Sequence, residues 1–370
     1  QIAAAKLGNQ RIGDFIETHG ADYTVRLFDE IVTRTNRRMR AAIGKLPNGS
    51  FSFSDVMDDD GAGTEDILIT LKITKSDHDI FFDFTGSDDQ VLGNFNLTFN
   101  ATQSAVCYAL KALLDPEVPN NQGIFDAIRI EAPLGSFVNC VSPAPVAMRA
   151  NTCQRVVDVV IGALAEALPD QVIGAANGAN TSAVFSGIDP RNSQQYVYLE
   201  TLGGGMGARA TKDGKDGVQV NITNTSNLPV EAIEMEYPLR VEDYALIADS
   251  GGAGKHRGGM GIRRSIRPVG HICEFNGVGE RFRNQPWGIF GGQPGAAGTF
   301  EMVDCKGSTT SLSSKASRVK LSPDARVVIS TPGAGGYGAP EDRASKALAE
   351  DQASGKFTKG FLASNYARKD

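Results

Sequence analysis

Apolar residues recur at helical spacing along the first stretch of the chain. Residues 1–45 predict two helices, and Gln1-Ile2-Ala3-Ala4-Ala5-Lys6 is already helical in composition. The second helix carries a stripe of Tyr23, Leu27, Ile31 and Met39, with Phe28 and Val32 beside it. Asp22 is placed to cap its start. Arg37, Arg38 and Arg40 gather near its C-terminal end, where the helix dipole favours cations. Such arginines can hold phosphate, but a solvated last turn is the favoured reading. The period then changes to two. Ile67, Ile69, Leu71 and Ile73 alternate with polar or threonine residues, and Ile80-Phe81-Phe82-Asp83-Phe84 follows. Ser76-Asp77-His78-Asp79 between them reads as a hairpin turn.

Helical spacing returns at 100–115, where Val106, Leu110 and Leu113 share a face, and at 150–168. The second of these has a face so broad (Val156, Val159, Val160, Ala163, Leu164, Ala167) that burial on more than one side is expected. A short strand at Ala127–Ile130 and a loop punctuated by Pro143 and Pro145 lie between them. From about residue 180 the pattern is mostly β. Strands are expected at 182–186, 195–201, 217–223, 230–235, 271–277 and 325–330, and a weakly amphipathic helix near 341–354. The fold class is α+β: mixed, with two buried central helices, helical termini and a β-rich, glycine-rich second half. Four regions follow: helical 1–45, α/β 46–180, a β-rich glycine-loop region 181–340, and a helical tail 341–370.

Composition sharpens this. The chain has 370 residues, 41% of them hydrophobic and 22% charged, enough apolar material for a substantial core. A net charge of -6 argues against nucleic acid, whose phosphates require a dense basic face. No apolar run approaches the length of a membrane span. Five scattered cysteines form no Cys-x-x-Cys pair, so reduced thiols in a cytoplasmic protein are expected. Residue 1 is Gln and already helical, so a piece of a larger polypeptide is expected.

Chemistry is sparse. Asp58-Asp59-Asp60-Gly61 resembles half a calcium loop but lacks the alternating ligands and the closing glutamate, and reads as an acidic turn. Gly333-Ala334-Gly335-Gly336-Tyr337-Gly338 matches the dinucleotide fingerprint. Pro332 and Pro340 flank it and no second strand follows, so a tight strand-to-helix turn is preferred. There is no P-loop, since Gly254-Lys255 is followed by His256. The four histidines, His19, His78, His256 and His271, have no metal-site spacing. Lys255, His256 and Arg257 sit in the loop Gly251–Gly261, where backbone N–H groups can converge on an anion or substrate. A β-turn or subunit contact is the structural alternative. Gly203, Gly204 and Gly205 lead the run Gly203–Arg209, and Thr223-Asn224-Thr225-Ser226-Asn227-Leu228-Pro229-Val230-Glu231 comes soon after. Polar amides and hydroxyls beside a glycine-lined surface suit recognition of a substrate amide. Asn224 and Glu231 are therefore the catalytic candidates, while the acids Glu231 and Glu234 read equally as exposed strand residues. Gly203, Gly204, Gly205, Thr225, Lys255, His256 and Arg257 are the substrate-binding candidates, and no metal ligand is assigned.

Taken in order, Asp83–Ser87, Asn151-Thr152-Cys153-Gln154-Arg155-Val156-Val157-Asp158, Gly203–Gly207, Thr223–Glu231, Ser250–Gly261, Trp287–Gly292 and Thr331–Gly338 resemble the hydantoinase B/oxoprolinase family. The resemblance implies a B-type subunit of an ATP-dependent cyclic-amide hydrolase acting on hydantoins, 5-oxoproline or lactams. It equally allows a subunit of an acetone- or acetophenone-type carboxylase. It implies an A-type partner that uses ATP and Mg²⁺ to phosphorylate the substrate oxygen, after which the B-type subunit completes the reaction. Similar chains carry a preceding segment with Asn-Asp-Pro and Gly-Thr-His-like stretches that resembles a metal site. This chain begins after that point. It is thus expected to bind no metal or nucleotide alone, to be inactive alone, and to associate with a chain carrying that segment. Such chains also often carry a histidine where this one has Asn221. A non-catalytic scaffold is the alternative from another class.

Overall fold

The computed structural model describes residues 1–366. The chain opens with α1 (Ile2–His19) and α2 (Ala21–Ile43). Antiparallel strands β1 (Gly49–Asp59), β2 (Glu65–Ser76) and β3 (Asp79–Asp83) follow, then α3 (Phe99–Leu114), α4 (Gln122–Phe125), β4 (Arg129–Glu131) and α5 (Arg149–Ala163). Strand β4 runs parallel to β3 and closes a sheet of order β1-β2-β3-β4. The turn between β2 and β3 is the expected hairpin, with Asp77 in the left-handed region at φ 51°. Ile67, Ile69, Leu71 and Ile73 all point into a core shared with Val106, Leu110 and Val156.

The second half contributes β5 (Thr181–Ile188), β6 (Gln195–Leu202), α6 (Val230–Glu236), β7 (Leu239–Leu246), β8 (Ile262–Pro268), β9 (Cys273–Val278), β10 (Thr299–Val303), β11 (Thr309–Leu312), β12 (Val319–Leu321) and β13 (Arg326–Ser330). They form two sheets, β12-β9-β5-β6 and β11-β10-β13-β8-β7. The sheets share one core built on Phe185, Phe275, Phe300, Ile266, Val327 and Ile329, which makes a sandwich. A single 3-10 turn (Pro340–Asp342), α7 (Ser345–Ala353) and α8 (Lys359–Asn365) complete the described chain.

Several expectations are corrected. Residues 217–223 form no strand and keep only an isolated bridge between Val218 and Gly204. Residues 230–235 are the helix α6, not a strand. Pro229 opens it and Ile233 is its one buried side chain, so a short apolar alternation served a short helix of 7 residues instead. Asp22 makes no cap and lies inside the first turn, because the residue preceding α2 is Gly20 at φ 85°. In α2 the stripe is buried only at its far end: Met39 is inside, while Tyr23, Phe28 and Ile31 are exposed. Arg38 and Arg40 are drawn to Asp115 and Asp79, and Arg37 pairs with Glu30.

Between the two cores lies a region made almost without side chains. Segments around 174–178, 203–208, 250–261, 286–296 and 331–338 run past one another and bond backbone to backbone. Gly205 donates to Pro332 O at 3.1 Å, Gly259 to Met206 O at 3.0 Å and Gly335 to Ala175 O at 2.9 Å. A Cβ on Gly335 would stand 1.8 Å from the Trp287 carbonyl, and one on Gly258 1.8 Å from that of Ala334. Glycine is required here because the neighbouring backbones occupy the space any side chain would need.

Candidate functional site

Helix α5 is buried from Asn151 to Ala163 although six of its 15 residues are polar. Most of its polar side chains find specific partners in the rest of the chain. Asn151 Oδ1 accepts from the Asn180 N–H at 2.8 Å, and Thr152 Oγ1 donates to Phe95 O at 2.6 Å. Gln154 Nε2 reaches Asn180 Oδ1 at 3.1 Å, Val220 O at 3.0 Å and Thr223 Oγ1 at 3.1 Å. Thr223 Oγ1 donates in turn to Asn180 Oδ1 at 2.5 Å. Asn177 Nδ2 donates to Gly205 O at 3.2 Å and so ties the same hub to the glycine segments. Asn221 sits in the hub's turn at φ 50°. Its Nδ2 and Gln154 Oε1 are shielded from solvent without a hydrogen-bond partner among the described residues, so the hub has unspent polar capacity.

The same face of α5, through Arg155 and Asp158, enters an ion network. Arg281 donates to Asp55 at 2.7 Å and to Asp158 at 2.8 Å, and Trp287 Nε1 donates to Asp55 Oδ2 at 3.1 Å. Arg155 donates to the Val56 carbonyl and pairs with Asp55 at 3.3 Å and with Glu280 at 3.5 Å. Lys315 completes the network on Glu280 at 2.6 Å. Burial opposes the Asp55 charge, but Arg281 and Arg155 override it and hold its carboxyl at about 2. For Asp158 and Glu280 burial wins and pushes the carboxyl up, against Arg281 and Lys315 respectively. Asp58, from the run that resembles a calcium loop, accepts the N–H groups of Phe282, Arg283 and Asn284 at 2.6 to 3.2 Å. It anchors a loop.

The candidate residues fall into distinct places. Gly203, Gly204 and Gly205 are buried, and their would-be Cβ atoms face Val218, Asn177 and Gly259. Asn224, Thr225 and Glu231 are exposed just beyond the Thr223 anchor, with Glu231 in the first turn of α6. The structure therefore brings Thr223, not Asn224, against the wall that leads to the glycines. The main surface cavities are lined by other residues.

In the second glycine loop the three cations part. Lys255 is exposed. His256 lies 3.7 Å from Asp213, and burial holds its pKa below the ordinary value despite that carboxylate. Arg257 is 3% exposed and committed to Asp216 at 2.8 Å and Asp351 at 3.0 Å. Arg343 joins Asp351 to Asp213, so the tail is clasped to the loop. The loop's N–H groups are also spent inside the chain, for example Gly252 on Ala334 O at 2.8 Å and His256 on Tyr337 O at 3.0 Å. An open anion nest is not formed. The same holds for Gly333–Gly338, where each N–H is bonded within the protein and the segment acts as a connector, not a phosphate cradle.

Sequence reasoning assigned no role to Gln154, Asn180, Asn177, Asp55 or Arg281. The polar residues within the apolar pattern of 150–168 were the available signal, because buried polar groups require partners. Among the described residues no three His, Cys, Asp or Glu side chains gather in a way that could hold a metal ion. Among the described residues no helix is long and apolar enough to cross a membrane.

The fold and hub define a class: an α+β protein in which a buried polar helix and a glycine-built interior present a short surface run. The chain belongs to the hydantoinase B/oxoprolinase family, whose model matches residues 1–340. It is 36% identical over 352 residues to an uncharacterised protein of Methanocaldococcus jannaschii, covering 95% of this chain and 60% of that one. It is 33% identical over 373 residues to a Pseudomonas protein provisionally assigned as the B-type subunit of a D-/L-hydantoinase, covering 97% and 62%. Arabidopsis thaliana 5-oxoprolinase 1 is 31% identical over 353 residues, with 91% of this chain and 26% of that protein covered. The chain thus spans about 60% of the length of the first two. The solved ATP-dependent caprolactamase of Pseudomonas jessenii superposes with a TM-score of 0.91 at 24% identity, over 99% of this chain and 65% of that one. A nucleotide-free acetone carboxylase gives 0.85 at 17% identity, over 96% and 54%. These two likenesses establish the fold. Relatives are named as subunits, and the enzymes they are named for act on cyclic amides.

Proposed function

We propose that this chain is the C-terminal part of a B-type subunit of an ATP-dependent cyclic-amide hydrolase. It would open a hydantoin, 5-oxoproline or lactam ring after an A-type partner has phosphorylated the amide oxygen. The observation that carries this reading is the 33% identity to a B-type hydantoinase chain across 97% of this one. An amide is a poor electrophile, and phosphorylation gives it a leaving group, so ring opening follows as a separate second step.

In this reading Asn224 and Thr225 orient the ring amide, since each offers a donor and an acceptor. The Gln154–Asn180–Thr223 hub holds the run in place, and Glu231 supplies an exposed carboxylate to hold a proton. Lys255 is the cation of its loop left open to a charged substrate, while His256 and Arg257 position it. Gly203, Gly204 and Gly205 give the backbone its close packing behind the run. Asn221 can donate and accept hydrogen bonds but has no proton to exchange near neutral pH. In this reading ATP and Mg²⁺ belong to the A-type partner. The described residues do not form a metal site, and no step is assigned to one.

The test is co-expression with an A-type subunit and a chain carrying the preceding segment, followed by assay on hydantoin, 5-oxoproline and caprolactam. ATP-dependent ring opening by the complex, and none by this chain alone, is expected. Turnover that requires bicarbonate would replace this reading with a carboxylase. A stable complex without turnover on any carbonyl substrate would leave a scaffold.

A further inference from the structure

A concave site lined by none of the hub residues lies between α3 and α4, with a volume of about 610 Å³. That is the size of small-molecule sites, which run from roughly 300 to 1,000 Å³. Its apolar wall comes from Ala112, Pro116, Ile124 and Phe125. The buried Cys107 thiol is pushed up to about 12 and so remains an uncharged part of that wall.

Its polar groups divide into spent and spare. Asn121 is locked, accepting from Gly123 N and donating to Thr35 Oγ1 on α2, both at 2.9 Å. Gln122 is bonded to Asp126 at 2.9 Å and Ser104 to Asn100 O at 2.8 Å. Among the described residues Lys111 is the one charged residue lining the cavity. Its ammonium meets Asn120 Oδ1 at 2.9 Å and has no carboxylate within ion-pair distance among the described residues. The nearby Asp115 is held by Arg38. Lys111 retains two N–H donors, and the Tyr108 hydroxyl and the Asn120 amide remain available.

We propose that this cavity is a binding site for an amphipathic monocarboxylate, its apolar body against Ile124 and Phe125 and its carboxylate on Lys111. One unpaired cation with flanking neutral donors matches one negative charge with two oxygens. A phosphate would bring more charge than the cavity can compensate. The inference is independent of the reaction proposed above.

The test is calorimetric titration of the full chain with octanoate and, separately, 1-octanol. Octanoate should bind at one site and octanol about tenfold more weakly, the value of one charge-assisted hydrogen bond. Lys111→Met should weaken octanoate about tenfold and leave octanol unchanged. Ala112→Trp, at an exposed helix position, should fill the cavity and abolish binding of both. Equal affinity for the two ligands, or an octanoate affinity untouched by Lys111→Met, overturns the proposal. So does binding that survives Ala112→Trp, which would place the ligand on the exposed apolar face of α1 and α2. Absence of binding together with a changed native mass of the Ala112→Trp complex would make the cavity an assembly surface, and would also overturn it.

Discussion

Gln154 Nε2 lies 3.1 Å from Thr223 Oγ1, so a helix buried in the first core holds the start of a surface run that belongs to the second. The contact crosses 69 residues of sequence. It couples the position of Asn224 and Thr225 to the packing of α5. Replacing Gln154 by Leu should leave Asn180 and Thr223 without a shared partner. The expected loss of stability is about 1–3 kcal/mol, read from urea unfolding. Thr223→Val removes the hydroxyl that donates to Asn180 and accepts from Gln154, and should cost no more.

Asn224→Ala separates function from fold. The side chain is exposed, so the unfolding midpoint should stay within experimental scatter. In the assembled enzyme kcat/KM should fall by about 1–3 kcal/mol, the cost of an unmatched polar group on the substrate. An unchanged kcat/KM in the assembled enzyme would remove Asn224 from the site.

The buried network around Arg281 should show in acid. Asp55 has a carboxyl depressed to about 2 from an ordinary 3.8, so it binds fewer protons folded than unfolded between those values. Its contribution, about 2 kcal/mol, is present above the ordinary value and is lost as the pH falls toward 2. Asp158 works in the other sense, since burial raises its carboxyl and it protonates earlier, leaving Arg281 to Asp55. Asp55→Asn should therefore be less stable than wild type at neutral pH, by a gap that narrows as the pH drops. A gap constant from neutral pH down to the acid transition would contradict the assignment. Arg281→Met removes the ion-pair partner of Asp158, leaves Asp55 to Arg155 and Trp287, and should cost about 3–5 kcal/mol at neutral pH.

Glycines should divide sharply by location. Gly335→Ala places a methyl 1.8 Å from the Trp287 carbonyl, and the protein should lose its cooperative unfolding transition or its solubility. Gly13→Ala, inside α1 with nothing within 4 Å, should be neutral or stabilise by up to about 1 kcal/mol. Parallel thermal melts of the two variants provide the comparison.

Much of the architecture was legible in local pattern. The alternation of Ile67, Ile69, Leu71 and Ile73 belongs to a strand with one face inside, and the breadth of the apolar face at Val156–Leu164 implied the burial observed for α5. Strands β7 and β8 went unread because charged residues such as Arg240, Glu242, Arg263 and Arg267 interrupt their runs. Those charges pair across strands, as Arg267 does with Glu242. The short apolar run in α6 was compatible with either period.

The order of glycine-rich segments was sufficient to suggest the family, and their composition alone established that backbone would approach something closely. Only the tertiary structure decided what it approaches. A glycine has no side chain to mark its partner, so Gly203–Gly205 read equally as a ligand cradle or as packing. The partner carbonyls of Pro332 and Gly259 lie more than fifty residues away in sequence. The same limit applied to Arg257, where the charge was visible but not the Asp216 and Asp351 carboxylates that satisfy it. Local periodicity determined the elements because it depends on neighbours in the chain. The site depended on contacts between distant residues, where hydrogen bonding and desolvation, which local pattern does not encode, select the partner.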